Sequence, residues 1–194
     1  RELHHRTKNN LAIIQSLALM QSRQVKSDEA KAALATLTNR IQAFANAHNF
    51  LHRAEDVTHV DLREHMQSLT DRLSSAFGSD TLRISCSAEP VPISFDTATE
   101  LGLVVNELVT NAAKHAFPSG GRKGRINVEA SQQGPQLLIR VTDNGPGLED
   151  AEAVLRNSKS LGWRIVEASA RKLNAVLKVD GSDGLSVTMT IPVD

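Results

Sequence analysis

Aromatic side chains are scarce in this sequence, whose 194 residues include five Phe, one Trp and no Tyr. Surfaces that stack nucleic-acid bases, and antibody-like recognition surfaces, depend on such side chains and are therefore disfavoured. The single cysteine, Cys86, excludes a disulfide framework and a metal site built from several cysteines. The 22 Lys and Arg residues balance the 22 Asp and Glu residues, which argues against nucleic acid or an anionic membrane as a partner.

Long apolar segments are also missing. No run approaches the roughly 20 residues that cross a bilayer, and no signal peptide is visible. Hydrophobic residues nevertheless make up 40% of the chain, so a buried core is expected rather than disorder. Because the chain begins with Arg1, within a predicted helix, we expect it to be the cytoplasmic part of a longer protein.

Glycine and proline are absent from residues 1–55 and frequent from residue 78 onward. The first part is therefore predicted to be helical, and the second to combine helices with strands. We expect two domains, a helical region over residues 1–55 and an α/β sandwich over residues 60–194, with a linker near residues 55–59. The predicted fold class is α+β.

Two helices are predicted in the first part, over about residues 1–24 and 29–54. The second has a seam of apolar residues alternately four and three positions apart, with His48 in the remaining position: Ala30, Leu34, Leu37, Ile41, Phe44 and Leu51. This spacing is typical of helical bundles, so we expect a four-helix bundle in a homodimer. The alternative is a helical hairpin that packs on its own globular domain.

The second part has the pattern expected of an open mixed sheet with helices on one face. Helices are predicted at 62–77, 97–116 and 161–173, and strands at 82–87, 125–130, 136–142, 176–180 and 185–191. In the last strand, alternate residues are expected to face inward, namely Leu185, Val187, Met189 and Ile191. Cys86 is predicted to be a buried, unreactive residue of the first strand.

His5 lies on the side of the first predicted helix opposite its apolar residues, together with Asn9 one turn later. An exposed imidazole is a nucleophile near neutral pH because much of it is unprotonated. Arg6 and Lys8 place positive charge nearby, and Asn9 can orient a water or a phosphoryl oxygen. The alternative is an ordinary surface histidine, which is our interpretation of His4.

Four polar residues follow one side of the helix predicted at 97–116: Glu107, Asn111, Lys114 and His115. Carboxylate and amide oxygens such as those of Glu107 and Asn111 suit Mg²⁺, which usually shares its shell with water and substrate phosphates. Lys114 and His115 add positive charge for a phosphate. A plain amphipathic helix would explain the apolar side but not this polar row.

A glycine-rich turn follows the strand predicted at 136–142 and reads Asp143-Asn144-Gly145-Pro146-Gly147. Gly145 and Gly147 let a planar base approach the backbone closely. Asp143 can accept a hydrogen bond from an exocyclic amine such as that of adenine. An ordinary Asn-Gly turn is the alternative.

The segment 148–160 is too long for a hairpin loop and is interpreted as a lid. The helix after it begins near Ser160, and backbone N–H groups at a helix start attract phosphate. Lys159 and Ser160 are candidate phosphate contacts, and Gly162 is a weaker candidate. Trp163 is interpreted as a core or interface aromatic.

Together these motifs resemble the catalytic core of sensor histidine kinases of two-component systems. Residues 2–11 resemble a subfamily with a His-His-Arg-x-Lys-Asn-Asn motif, which is related to the HWE kinases. Residues 106–115 resemble the N box, residues 143–147 the first glycine box, and residues 160–162 a shortened second one. The related subfamily that shares His115 also has a Trp-x-Glu motif, which is not evident in this sequence.

The resemblance implies a dimerisation and phosphotransfer region followed by an ATP-binding sandwich of the Bergerat type. In such a protein His5 would accept a phosphoryl group from Mg-ATP. Asn111 would bind Mg²⁺, Asp143 would bind adenine and Lys114 would contact phosphate. The phosphoryl group would then pass to an aspartate on the receiver domain of a response regulator, and a sensor domain upstream would supply the signal.

Two departures from the common kinase pattern leave alternatives open. Arg6 stands where an acid usually follows the histidine, so the base that activates His5 is not identified. Glu107 precedes Asn111 by four residues, which resembles ATPases in which a glutamate activates water. The alternatives are a serine kinase of the anti-sigma-factor type, a histidine phosphotransfer protein with a non-catalytic nucleotide domain, and an ATP-hydrolysing relative with Glu107 as base.

Overall fold

The computed structural model describes residues 59–117, 123–158 and 160–193, together with Met20 and Ser27. By its internal contacts the chain divides into two units, Arg1–Val57 and Thr58–Asp194, and the fold below is that of the second. Apart from Met20, which is helical, the predicted helices at 1–24 and 29–54, with the apolar seam of the second, lie outside the described residues. Among the described residues, no helix combines the length and apolar character that crossing a bilayer requires.

The described part of the second unit contains alternating helices and strands. In chain order they are β1 (His59–Asp61), α1 (Leu62–Phe77), β2 (Leu82–Ala88), β3 (Pro92–Ser94), α2 (Phe95–His115), β4 (Gly124–Gln133), β5 (Gln136–Asp143), α3 (Ala151–Arg156), α4 (Leu161–Lys172), β6 (Val176–Asp180) and β7 (Ser186–Pro192). Five strands form one sheet in the order β2-β4-β5-β7-β6, and β1 pairs with β3.

The five-stranded sheet is mixed, as the sequence predicted. Strand β2 pairs in parallel with β4, whereas the other neighbours are antiparallel. Alternate residues of β4 and β7 are buried and build the core: Ile126, Val128, Ala130, Val187, Met189 and Ile191. Helix α1 packs against β2 and β4, α2 packs against β4 and β5, and α4 packs against α2. The α+β sandwich expected from the sequence is confirmed.

The other face of the sheet is polar. Glu129 and Arg140 lie opposite each other on β4 and β5, with 3.7 Å between carboxylate and guanidinium. The hydroxyl of Ser85 donates to the amide oxygen of Asn127 on the neighbouring strand at 2.6 Å. Because these side chains satisfy one another and face water, this side of the sheet needs no apolar cover, and the fold has two layers.

Helix α2 begins after Ser94, whose hydroxyl accepts a hydrogen bond from the backbone N–H of Thr97 at 3.2 Å. Asp96 lies in its first turn and two basic residues in its last, which complements the helix dipole. The side predicted to be apolar is buried: Leu101, Val104, Val105, Leu108 and Ala112. This burial fixes the direction in which the polar row of the helix faces.

A buried carboxylate joins α2 to α4. The carboxylate of Glu100, whose residue is 8% exposed, accepts from the Ser169 hydroxyl at 2.7 Å and from the Lys172 ammonium at 2.6 Å. The hydrogen bond and negative charge of Glu100 raise the pKa of Lys172. These bonds hold the end of α4 against the start of α2. The position of one helix relative to the other is therefore fixed beside the glycine-rich turn.

Three features differ from the sequence-based expectation. Strands β1 and β3, which pair Val60 with Ile93, were not predicted because three residues are too few to display alternation. Helix α3 lies within the segment interpreted as a lid. Cys86 is only partly buried, on an edge strand, but desolvation raises the pKa of its thiol as expected for an unreactive residue.

The imidazole of His65 predicts how stability depends on pH. His65 is buried on α1, and desolvation lowers its pKa from the ordinary value of 6.5, partly opposed by a hydrogen bond to the backbone of Ala98. As the pH falls below 6.5, His65 is protonated in the unfolded chain but stays neutral in the folded one. The free energy of unfolding should therefore decrease. Urea unfolding between about pH 7.5 and about pH 5.5 measures it.

A matched pair of variants isolates this effect. His65→Leu should flatten the pH dependence of the free energy of unfolding, whereas Met66→Leu, a core substitution on the same helix that removes no titratable group, should leave it unchanged. An equally steep decrease in wild type and His65→Leu would contradict the assignment to His65.

Candidate functional site

A cavity of about 340 Å³ lies between α2, the turn after β5, helix α3 and the start of α4. Its wall is mostly apolar, with Leu108 and Ala112 from α2, Leu155 from α3, and Leu148, Trp163 and Leu185. The polar side chains in the wall are Asn111, His115, Asp143 and Ser160. A largely apolar pocket with a few placed polar groups is typical of a site for a small organic ligand.

The structure brings five of the predicted site residues together around this cavity: Asn111, His115, Asp143, Gly147 and Ser160. They come from helix α2, from the end of β5 with the turn after it, and from the start of α4, so residues far apart in the sequence meet at one place. The segment interpreted as a lid contributes to the same wall through Leu148 and Leu155.

Other predicted site residues lie elsewhere. Glu107 is 3% exposed and does not line the cavity, although it precedes Asn111 by one turn of α2. Lys114 is exposed at the end of α2 and is also outside the wall, as are Gly145 and Gly162. His5, Asn9 and Lys159 lie outside the described residues. The roles assigned to all of these residues stay predictions.

The two oxygens of the Asp143 carboxylate have different surroundings. Oδ1 accepts from the backbone N–H of Gly145 at 2.8 Å and from that of Leu185 at 3.3 Å. Oδ2 has no hydrogen-bond partner among the described residues, and Asp143 lines the cavity while being only 9% exposed. A fixed acceptor in a mostly apolar wall suits a ligand that brings an N–H donor.

Glycines let the turn after β5 and the loop between β6 and β7 pack backbone against backbone. Gly147 and Gly184 both have φ of +77°, and a Cβ at Gly147 would collide with the carbonyl oxygen of Gly181. A Cβ at Gly184 would collide with the carbonyl of Asp143. The N–H of Leu148 donates to the carbonyl of Gly181 at 3.1 Å, which closes the contact. Gly145 is confined as well, since a Cβ there would lie 2.8 Å from the Cβ of Ala116.

Sequence reasoning overlooked three residues that shape this turn. No role was predicted for Gly181 and Gly184, because glycines in a loop between two strands are common. Asn144 ties the turn to β4, since its Oδ1 accepts from the N–H of Arg125 at 2.6 Å and its Nδ2 donates to the carbonyl of Lys123 at 3.1 Å. The turn is thus held from both neighbouring strands.

The start of α4 closes the cavity on the opposite side. Ser160 caps the helix by accepting from the backbone N–H of Trp163 at 3.4 Å, and the hydroxyl of Ser158 donates to Ser160 at 3.0 Å. A capped helix start presents backbone N–H groups and the positive end of the helix dipole, which favour an anion. The cavity therefore has an acceptor at Asp143 and donors at α4.

The residues present also fit a divalent cation. Asn111 lines the cavity from α2, and its amide oxygen is a hard ligand of the kind that Mg²⁺ takes. Mg²⁺ usually keeps several waters and shares phosphate oxygens, so one protein oxygen beside a phosphate-binding helix start is a plausible share of its shell.

Comparisons with known proteins identify the class. Residues 2–77 match the family described as histidine kinase, and residues 96–194 match the family described as histidine kinase-, DNA gyrase B- and HSP90-like ATPase. The chain belongs to this ATPase family, and the region that precedes it matches the histidine kinase family model. The ATPase family implies that the second unit binds ATP.

Individual relatives agree with this class. Sensor histidine kinase PdtaS of Mycolicibacterium smegmatis is 31% identical over 186 residues, which cover 95% of this chain and 36% of that protein. Blue-light-activated histidine kinase 2 of Erythrobacter litoralis is 31% identical over 199 residues, covering 99% of this chain and 56% of that protein. The chain thus spans about a third to a half of the length of these curated relatives.

Two further comparisons concern the nucleotide-binding unit and the fold. Serine-protein kinase RsbW of Listeria innocua is 31% identical over 124 residues, which cover 56% of this chain and 74% of that protein. The solved histidine kinase domain of the Erythrobacter litoralis EL346 blue-light activated histidine kinase has a TM-score of 0.70 and 24% identity. It covers 94% of this chain and 96% of that chain, and it shows the same fold.

The backbone packing of the turn predicts a large effect of one methyl group. Gly184→Ala should destabilise the protein by roughly 2–3 kcal/mol, because the added Cβ meets the Asp143 carbonyl in addition to the strain of a positive φ. Gly134→Ala is the matched control, since Gly134 also has a positive φ of +58° but nothing within 4 Å of an added Cβ. It should cost only about 1 kcal/mol in urea unfolding. Equal losses in the two variants would contradict the packing argument.

The free oxygen of Asp143 predicts nucleotide preference. Asp143→Asn keeps an oxygen for the Gly145 N–H but replaces the second oxygen by an NH₂ group, which repels the adenine amine. ATP affinity measured by calorimetry should fall about 10- to 100-fold, while GTP affinity should fall less because guanine offers a carbonyl oxygen at that position. Asp180→Asn is the control, since Asp180 makes a similar turn with the Ser182 N–H at 3.0 Å outside this cavity. Unchanged ATP binding by Asp143→Asn would remove Asp143 from the site.

Proposed function

We propose that this chain is the catalytic region of a sensor histidine kinase that phosphorylates His5 from Mg-ATP and passes the phosphoryl group to an aspartate of a response regulator. The observation that carries the proposal is the cavity in which Asp143 and Asn111 meet the start of α4. It follows in the sequence a region that matches the histidine kinase family over residues 2–77.

Each part of the cavity has a task in nucleotide binding. Asp143 accepts a hydrogen bond from the adenine amine, and the turn containing Gly147 gives the base access to the backbone. Ser160 and the N–H groups at the start of α4 bind phosphate oxygens, with Lys159, Gly162, Lys114 and His115 as further contacts. The Asn111 amide oxygen would hold Mg²⁺ in part, and the bound ion would supply positive charge to neutralise the phosphates.

His5 supplies the nucleophile. An unprotonated imidazole nitrogen attacks the γ-phosphorus of ATP, the bond from that phosphorus to the bridging oxygen breaks, and ADP leaves. The cations of Arg6 and Lys8 stabilise the charge of the transferred group, and Asn9 orients one of its oxygens. A phosphoimidazole is labile, which lets the phosphoryl group move on to a carboxylate.

Several properties of the whole protein follow from this proposal. We assign residues 1–55 to dimerisation and phosphotransfer and residues 60–194 to ATP binding. The receiver domain of a response regulator accepts the phosphoryl group, and a sensor domain outside this chain controls its formation. The catalytic region works in the cytoplasm, where ATP is available, as a homodimer built on the apolar seam of residues 29–54.

A serine kinase of the anti-sigma-factor type is the second candidate, because RsbW matches the nucleotide-binding part of this chain. That match covers 56% of the chain, whereas the matches to PdtaS and to blue-light-activated histidine kinase 2 cover 95% and 99%. A serine kinase of this type would also give no function to His5 or to the first unit, Arg1–Val57. Phosphate that survives acid on a partner protein would favour this candidate.

Labelling with γ-³²P-ATP and Mg²⁺ tests the main proposal. Wild type should acquire label that is stable to alkali and lost in acid, and His5→Ala should acquire none. His4→Ala is the matched control, since the neighbouring histidine is not assigned a role and its replacement should leave most of the labelling. Asn111→Ala should reduce the labelling rate about 100-fold or more if its amide oxygen holds Mg²⁺. Undiminished labelling of His5→Ala would overturn the proposal.

A further inference from the structure

Trp163 leaves a buried hydrogen-bond donor unused. It is the single tryptophan of the chain, lies in the first turn of α4, and is 5% exposed. Its indole Nε1 has no hydrogen-bond partner among the described residues. An indole nitrogen is a donor only, so no protonation change can relieve it. A buried donor without an acceptor costs about 1–3 kcal/mol, and such groups in native proteins usually have a functional reason.

The surroundings of Trp163 indicate what the missing acceptor is. Trp163 lines the cavity together with Ser160. The hydroxyl oxygen of Ser160 is engaged by Ser158 and by the backbone N–H of Trp163, so it is not free for the indole. Asp143 supplies the carboxylate acceptor of the same cavity, which suits the base of a nucleotide and repels its phosphates.

We propose that the indole N–H of Trp163 donates a hydrogen bond to a phosphate oxygen of the nucleotide bound in this cavity. The proposal rests on the proposed function, and it adds a nucleotide-binding residue that sequence reasoning had assigned to the core. Phosphate is the acceptor because the start of α4 favours an anion and the indole supplies one more donor there. Trp163 thus belongs both to the core and to the phosphate end of the site.

Entry of the nucleotide must shift the wall beside Trp163 slightly. The indole nitrogen has almost no exposed surface, although Trp163 is one of the residues that line the cavity. The unused donor makes this arrangement less stable than one in which a phosphate oxygen reaches it. Phosphate binding and the movement of this wall are therefore coupled.

Trp163→Phe tests the proposal, because phenylalanine keeps an aromatic ring but lacks the N–H. Binding of ATP, ADP and adenosine is measured by calorimetry for wild type and variant. The variant should bind ATP and ADP about 10-fold more weakly and adenosine equally well, since a hydrogen bond to a charged group is involved. Equal affinity of both proteins for ADP, or a matching loss for adenosine, would overturn the proposal. Circular dichroism and thermal unfolding verify that the variant folds.

A second measurement needs no variant. In ¹⁵N-labelled wild-type protein the single tryptophan gives one indole N–H signal in the NMR spectrum. Saturation with ADP should move its proton downfield as the new hydrogen bond forms, and saturation with adenosine should not. An indole signal that stays in place with ADP would also overturn the proposal. Failure of the wild-type chain to bind ADP at all would instead reject the proposed function, and this inference with it.

Discussion

The hydrogen bonds from two backbone N–H groups to one oxygen of Asp143 organise the ligand end of this domain. They join the turn after β5 to the residue that precedes β7, at 2.8 Å and 3.3 Å, in a place largely shielded from water. A carboxylate that accepts two N–H groups in such surroundings is both fixed in position and strongly bound. Because these bonds already fix the side chain, Oδ2 can bind a ligand without a further loss of side-chain entropy.

Helices α2 and α4 add the other side of the cavity, and their relation is set away from it. The carboxylate of Glu100 bonds to Ser169 and Lys172 at the far end of α4, while Asn111 and Ser160 meet the cavity at the near end. Apolar packing between the helices fills the space between. The site therefore sits between two rigid supports, the sheet with its turn and the helix pair, and α3 adds Leu155 to the wall.

Much of this arrangement was predictable, because it depends on local pattern. The alternation in the last strand, the capped start of α2 and the glycine-rich turn are visible along the chain, and they placed Asp143, Asn111 and Ser160 correctly on their elements. What could not be predicted depends on contacts between distant segments. The burial of Glu107 follows from the neighbours of α2, and the role of Gly184 follows from a loop that approaches from 40 residues away. The two short strands that pair Val60 with Ile93 carry too few residues for any pattern.

The contacts of Gly147, Gly181 and Gly184 involve main-chain atoms on both sides. Main-chain atoms are the same in every residue. The shape of a contact between two backbone segments therefore stays the same as long as the fold persists. The rest of the wall differs, because Leu108, Leu155 and Trp163 are side chains that can be replaced one at a time. The glycines of this turn can therefore be kept or lost, but no side chain is present there whose size or polarity could be varied in small steps.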